Sequence, residues 1–248
     1  MKLFVIADLH LSEGDKVDKP MSRFGQRWEN HVQRLREAWE AQVSREDTVL
    51  IPGDISWAMH LRDAEADLRL IDSLPGEKIL MRGNHDYWWG TLSRLRRFAE
   101  EKGLSSLRFL QNTAEAVGEN MVVAGTRLWL WPDDSRFAEA DNKILDHEKE
   151  RLERSLEAAL PWQKEGRELL LITHYPPFGK NLGASDFTAL IRDSGAKQAF
   201  FGHIHQSDSP YNFRRKEIDG VYYSLVSADC LNFQPLEVWP LMEKYNYQ

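Results

Sequence analysis

The sequence predicts an α/β protein built on two partly mixed β-sheets with helices outside. Two patterns carry that prediction. The first half alternates short apolar runs with amphipathic helical patterns, and a middle stretch switches to closely spaced short runs before longer elements resume. A third feature sets the domain count. No repeat, low-complexity tract or Pro/Gly/Ser linker interrupts the 248 residues, so a single domain is expected over 1–248.

Leu3–Ala7 reads as a strand and Trp28–Val43 as an amphipathic helix. Thr48–Ile51 is a strand, Asp63–Leu74 a helix, Lys78–Met81 a strand and Thr91–Lys102 a helix. This βαβαβα order implies a largely parallel, buried sheet, because parallel neighbours need a crossover and a helix supplies it. Residues 105–131 change character. Short runs such as Leu107–Leu110 and Met121–Ala124, broken by Asn112, Gly118 and Asn120, read as hairpin strands. A long helical pattern, Ala138–Leu160, is expected to stop at Pro161, since proline has no N–H to continue the ladder. Leu169–Thr173, Gln198–Phe201 and Val221–Val226 read as further strands.

Composition narrows the function classes. Hydrophobic residues make up 42%, enough for a sizeable core. No apolar run approaches the ~18 residues that a membrane span needs. The N-terminal run MKLFVIAD is too short for a signal peptide. The single cysteine, Cys230, excludes an internal disulfide. These features lead us to expect a soluble cytoplasmic protein. The formal charge of −7 repels phosphate backbones at long range and disfavours nucleic acid as a partner. The basic spots Arg94, Arg96, Arg97 and Arg214, Arg215, Lys216 read as solvated faces. Bound divalent cations would change the field locally, so a small anionic substrate is not excluded.

The chemistry sits at the ends of the apolar runs. Leu3–Ala7 ends in Asp8-Leu9-His10, Thr48–Ile51 in Pro52-Gly53-Asp54, and Lys78–Met81 leads to Gly83-Asn84-His85-Asp86. Leu169–Thr173 ends in His174, and Gln198–Phe201 in Gly202-His203-Ile204-His205. Ligands gather outside the carboxyl ends of strands in open α/β sheets. Each piece has a bland reading: Asp-x-His as a polar strand end, Gly-Asp as a turn, His174 as a packed ring beside Tyr175-Pro176-Pro177. Five independent turns would not be expected to select this donor set together. Imidazole and carboxylate suit Mn, Fe and Zn, and no thiolate is supplied. A carboxylate can bridge two cations. Two metals about 3.5–4 Å apart can clamp the attacking and leaving oxygens of a phosphoryl displacement.

At these residues, from Asp8 to His205, the chain resembles the calcineurin-like metallophosphoesterase superfamily, with all five motif blocks in family order. The resemblance implies a four-layer αββα sandwich around two mixed sheets. It implies two divalent metal ions, with Mn the first expectation and Fe, Zn or Ni the alternatives. Asp8, His10, Asp54 and His205 would hold the first, and Asp54, Asn84, His174 and His203 the second. Asp54 would bridge them, and a metal-bridging hydroxide would attack phosphorus in a mono- or diester. His85 matches the family histidine that stabilises phosphate charge or protonates the leaving group, and Asp86 would orient it. Protein phosphatases of this superfamily continue Gly-Asp with Asp-Arg-Gly. Here Ile55-Ser56-Trp57-Ala58 follows, which turns the expectation toward a small phosphate ester or a nucleotide-like substrate. Arg82, ahead of Gly83, is the one echo of that branch. A metal-dependent nuclease and a non-catalytic metal-binding scaffold are the alternatives, and all ligands being present argues against the scaffold.

Around the site, Trp57, Trp88, Trp89, Trp129 and Trp131 read either as core or as a stacking wall for a base or aryl group. Arg27 and His31, in the segment after the first metal loop, and Arg127 are the candidate substrate contacts. Oligomeric state has no signature in the sequence.

Overall fold

The computed structural model describes residues 1–205 and 209–238. The end of the expected 1–248 domain therefore lies outside the described residues. The strands are β1 (Leu3–Val5), β2 (Thr48–Pro52), β3 (Glu77–Met81), β4 (Leu107–Leu110), β5 (Ala114–Val117), β6 (Met121–Thr126), β7 (Glu168–Thr173), β8 (Gln198–Phe201), β9 (Lys216–Ile218), β10 (Val221–Leu225) and β11 (Leu236–Glu237). The α-helices are α1 (His31–Gln42), α2 (Glu65–Ser73), α3 (Leu92–Lys102), α4 (Asp141–Lys164) and α5 (Asp186–Asp193). One sheet runs β11-β1-β2-β3-β4 and the other β5-β6-β7-β8-β10-β9. The first is parallel except for β11. The second has a parallel centre, β6 to β10, flanked by the antiparallel edges β5 and β9.

Side-chain alternation explains why the sheets stack. Successive strand residues point to opposite faces. Val123, Leu170, Ile172 and Phe200 join a core with β1–β4 and with Trp39, Leu68, Ile71 and Leu95 of α1–α3. Their neighbours Val122, Ala124, Leu169, Leu171, Ala199 and Phe201 pack instead with Leu152, Leu156 and Ala159 of α4 and Phe187 and Ile191 of α5. The second sheet is thus buried on both faces, and the layers are helix, sheet, sheet, helix. This is the expected four-layer αββα arrangement with two mixed sheets.

Three elements differ from expectation. β4 is not a hairpin strand. It pairs parallel with β3, from Lys78↔Leu107 to Met81↔Leu110, because α3 provides a crossover between them. The hairpin of this region is β5–β6. α4 runs through Pro161 to Lys164. Proline removes one ladder bond, but tertiary contacts hold the last turn: Gln163 Nε2 donates to Ser194 O at 2.9 Å, and Arg167 lies 5.0 Å from the Trp162 ring. α1 begins at His31 rather than Trp28, because Asn30 adopts a left-handed conformation at φ 52°. α5, β5, β9 and β11 have patterns too short or too polar to stand out in the sequence.

Strand ends from both sheets converge through the loop after β1. Ala7 N donates to Val226 O and Ala228 N to Ala7 O, both at 2.8 Å, while Asp8 N donates to Gly53 O at 2.9 Å. These bonds hold the first metal-type motif against β2 on one side and β10 on the other.

Candidate metal centre

Two groups of donors lie at the carboxyl ends of the strands. Asp8, His10 and His205 form one, and Asp54, His174 and His203 the other, each with its ligand-type atoms within 4.8 Å of one another. Backbone strain helps aim them. Asp8, His10, Asp54 and His203 all have positive φ, between 48° and 71°. The left-handed region is uncommon for residues other than glycine and is held only when surrounding structure over-determines it. Glycine makes the close approach of the loops feasible. A Cβ on Gly83 would collide with the Asp54 backbone and carboxylate, and one on Gly53, at φ 98°, would lie 2.6 Å from His174 Nδ1.

Asp54 divides its carboxylate between the groups. Oδ2 lies 3.8 Å from His10 Nε2, and Oδ1 lies 3.4 Å from His174 Nε2. His85 N also donates to Oδ1 at 2.8 Å. Asn84 Oδ1 sits 2.7 Å from His174 Nε2 and 2.9 Å from His203 Nδ1. His10 Nε2 is 3.2 Å from His205 Nε2. Asp8 accepts from His203 N at 2.9 Å, and its Oδ1 lies 3.9 Å from His205 Nε2.

This donor set fits divalent cations. His174 Nδ1 is 3.1 Å from Pro52 O, and a carbonyl can only accept, so Nδ1 carries the proton of the neutral ring. Nε2 then turns a lone pair toward the Asp54 carboxylate and the Asn84 amide oxygen. Acceptors facing acceptors in a buried site repel unless a cation lies between them. His205 repeats the pattern, since its Nδ1 meets Asp229 Oδ1 at 3.0 Å and leaves Nε2 for His10 and Asp8. The electrostatics agree. Burial raises Asp8 and Asp54 above the usual carboxylate range and holds His10, His174 and His203 well below the usual imidazole value. For His205, burial is outweighed by the Asp229 bond and the Asp8 charge, which raise it.

His85 stands beside these groups. Its ring is 4.3 Å from Trp57 and 5.8 Å from His10, and its buried Nδ1 has no hydrogen-bond partner among the described residues. Burial lowers its pKa. The orienting role expected of Asp86 is not realised by contact. Asp86 Oδ1 accepts from Ile55 N, Ser56 N and Trp88 Nε1, at 2.9, 3.1 and 3.0 Å, and Oδ2 accepts from Gly83 N at 2.7 Å. A carboxylate with four donors pins the loops that carry Asp54 and Asn84 and has no hydrogen bond to the His85 ring.

The expected substrate contacts separate. Arg27 lines a cavity of about 210 Å³ with His10, Met21, Phe24, Trp28, Trp57, His85 and His205. Its Nε lies 3.3 Å from Asp229 Oδ2. His31 is buried against Trp28 and Phe233, with ring centroids 5.5 and 5.8 Å away, and lines neither cavity beside the metal-type donors. Arg127 leans on Trp129, 4.5 Å from the ring, and faces buried Glu148 at 3.5 Å. With Arg82 and Arg151 it lines a separate cleft of about 90 Å³. Of the tryptophans, Trp88 and Trp89 are core, while Trp129 and Trp131 line a cavity of about 540 Å³ that also touches Asp54, His85, His203 and His205.

Sequence reasoning missed Asp229, Arg136 and Lys19. Asp229 follows the apolar run Val221–Val226, and the strand-end rule extended to that run would have found it. Arg136 lines the larger cavity and is held by Asp134 at 2.8 and 2.9 Å. Lys19 lies 3.5 Å above the Trp57 ring, and its charge is felt at His85. Neither cation belongs to a recognisable motif.

Residues 1–207 match the family described as calcineurin-like phosphoesterase. The Gene 66 protein of Mycobacterium phage L5 is 38% identical over 80 residues, which are 32% of this chain and 37% of that protein's length. The chain thus covers well under two thirds of that relative. Among solved structures, the phosphopantetheinyl hydrolase of Mycobacterium tuberculosis superposes with a TM-score of 0.54 at 14% identity, over 96% of both chains. That likeness is one of fold. A protein of unknown function from Aquifex aeolicus matches with a TM-score of 0.45 at 13% identity, over 95% of both chains.

Proposed function

Because the chain belongs to the calcineurin-like phosphoesterase family, we propose that it is a metal-dependent hydrolase of small phosphate esters. The observation that supports this most is the division of Asp54, one oxygen toward each Asp/His group. In this reading Asp8, His10, Asp54 and His205 hold one divalent ion, and Asp54, Asn84, His174 and His203 hold the other, with Mn the first candidate and Fe, Zn or Ni the alternatives. Two such cations supply positive charge to the phosphoryl oxygens and make a water nucleophilic near neutral pH.

The chain's own residues do the rest. His85 lines both cavities beside the donors, so its ring can reach an ester oxygen and give it a proton. Asp86 fixes the two loops between which the ester must sit. Lys19 and Arg136 place positive charge on the His85 side and the His203 side respectively, where they can draw in an anionic substrate. The aromatic cavity takes the organic group, with Trp129, Trp131 and Tyr175 as its stacking surfaces. Its volume of about 540 Å³ falls in the range of small-molecule sites. The exposed arginines of α3 lie on a solvated face, and the net charge of −7 counts against a nuclease. We assign all of this to one domain in a cytoplasmic protein. Among the described residues no helix is long and apolar enough to cross a membrane.

The test is hydrolysis of para-nitrophenyl phosphate and bis-para-nitrophenyl phosphate by chelator-stripped protein refilled with Mn²⁺, Zn²⁺, Fe²⁺ or Ni²⁺. Metal-dependent turnover of either ester is the expected result. Two ions bound per chain without turnover of any ester would refute it.

A further inference from the structure

We propose that the substrate is a phosphate diester with two unequal arms, a large polar-aromatic one and a short apolar one; this rests on the phosphoesterase reading above. The donor groups are flanked by two cavities rather than one. His85 and His205 line both. Beyond those two rings the walls share no residue. The cavity of about 540 Å³ comes from the segments around Trp129–Arg136, Tyr175–Lys180, His203–His205 and Ser209–Tyr211. The cavity of about 210 Å³ comes from His10, Met21, Phe24, Arg27, Trp28 and Trp57. A monoester has a single organic arm and would fill only one of them.

The chemistry of the smaller wall decides between an arm and solvent. Trp57 stacks on His10 at 4.8 Å, and Phe24 lies parallel to Trp57 at 6.4 Å. Trp57 Nε1 is directed to Met21 Sδ at 3.2 Å. Two cations stand near it and both are engaged: Arg27 faces the Asp229 carboxylate at 3.3 Å, and Lys19 lies over the Trp57 ring at 3.5 Å. A free phosphoryl oxygen turned toward this wall would lose water and gain little. An apolar substituent would gain the burial instead. An apolar cavity of roughly 150 Å³ accepts a benzene ring in another protein, so about 210 Å³ suits a phenyl group or a short alkyl chain. The larger cavity offers Trp129, Trp131, Tyr175 and Tyr211 for stacking, with Arg136 and Lys180 for polar groups. It suits an arm of nucleoside size.

In the reaction, water's oxygen bonds to phosphorus and one P–O ester bond breaks. The departing arm takes a proton and leaves as an alcohol. The other arm stays on phosphorus as a monoester.

The test compares Mn²⁺-loaded protein on thymidine 5′-(para-nitrophenyl phosphate), a diester, and para-nitrophenyl phosphate, a monoester. The diester is expected to have the higher kcat/KM by at least about tenfold, which corresponds to about 1.4 kcal/mol. Phe24→Ala changes an exposed side chain and should fold; it is expected to cut the diester-to-monoester ratio about fivefold or more, chiefly through KM. Trp131→Ala is expected to weaken binding of thymidine 5′-monophosphate by a similar factor in calorimetry, a readout independent of turnover. Equal or higher efficiency on the monoester, with a ratio unmoved by Phe24→Ala, would overturn the diester proposal and leave the phosphoesterase reading standing. No hydrolysis of either ester by protein with bound metal would overturn both.

Discussion

Asp229 shows how a residue outside the expected ligand set can govern it. Its side chain is fully buried and hydrogen-bonds the nitrogen of His205 that faces away from the donor group. A carboxylate there fixes the ring's orientation and tautomer, and losing such a partner typically costs 10- to 100-fold in metal affinity. Asp229→Asn is therefore expected to weaken metal binding by roughly that factor in a chelator competition, with the fold retained. His85→Ala should behave in the opposite way. Its metal content stays at the wild-type level, while kcat falls by roughly 10²- to 10⁴-fold, the usual worth of a general acid. Full activity in that variant would remove His85 from the reaction. The ligand types and their strand-end placement were legible in the sequence, because a donor that follows an apolar run is visible as a pattern. The partners of those donors were not. Asp229 pairs with a histidine 24 residues away, and Asp86 with backbone N–H groups about 30 residues away.

At the scale of elements, the turn after β3 and the start of α2 carry the site. Gly83→Ala is expected to push Asp54 out of place, because the new Cβ would occupy its carboxylate position. The measurement is metal stoichiometry, which should fall below that of the unmutated protein. Asp67 at the start of α2 supports the same region, accepting from the Ser56 hydroxyl and from Glu13 N. Burial pushes its pKa up to about 6 from an ordinary 3.8. The folded protein then holds a proton between about pH 4 and 6 that the unfolded chain releases. This group's contribution is most favourable below pH 4 and is lost as pH rises to 6, by at most about 3 kcal/mol. Urea melts across that window should show wild-type stability falling with pH relative to Asp67→Asn, whose side chain does not titrate. A flat difference would mean that Asp67 stays ionised. Strand and helix types were readable wherever periodicity was strong, as in β2, β3 and α3. The pairing of β4 was not, since a short apolar run looks alike in a hairpin and at a parallel edge.

For the whole molecule, the site stands where the carboxyl ends of both sheets meet, so metal and fold are coupled. Removing the ions leaves the buried carboxylates of Asp8 and Asp54 facing unprotonated ring nitrogens, a repulsion that the His203 and His85 N–H groups offset only in part. Chelation is expected to lower Tm, and re-addition of Mn²⁺ at about 100 times its Kd should restore about 2.7 kcal/mol. A melting curve indifferent to chelator would mean that the donor cluster is stable without metal.

The sequence by itself determined the fold class, the strongly periodic strands and helices, and the donor set at five strand ends, because hydrophobic periodicity and residue chemistry are local properties. The tertiary structure decided what each side chain faces. It divided Asp54 between two groups, committed Asp86 to three backbone N–H groups and Trp88, packed His31 against Trp28 and Phe233 and Arg127 against Trp129 and Glu148, and set two unlike cavities beside one pair of histidines. Those outcomes depend on which distant segments pack together, and no pattern along the chain records that.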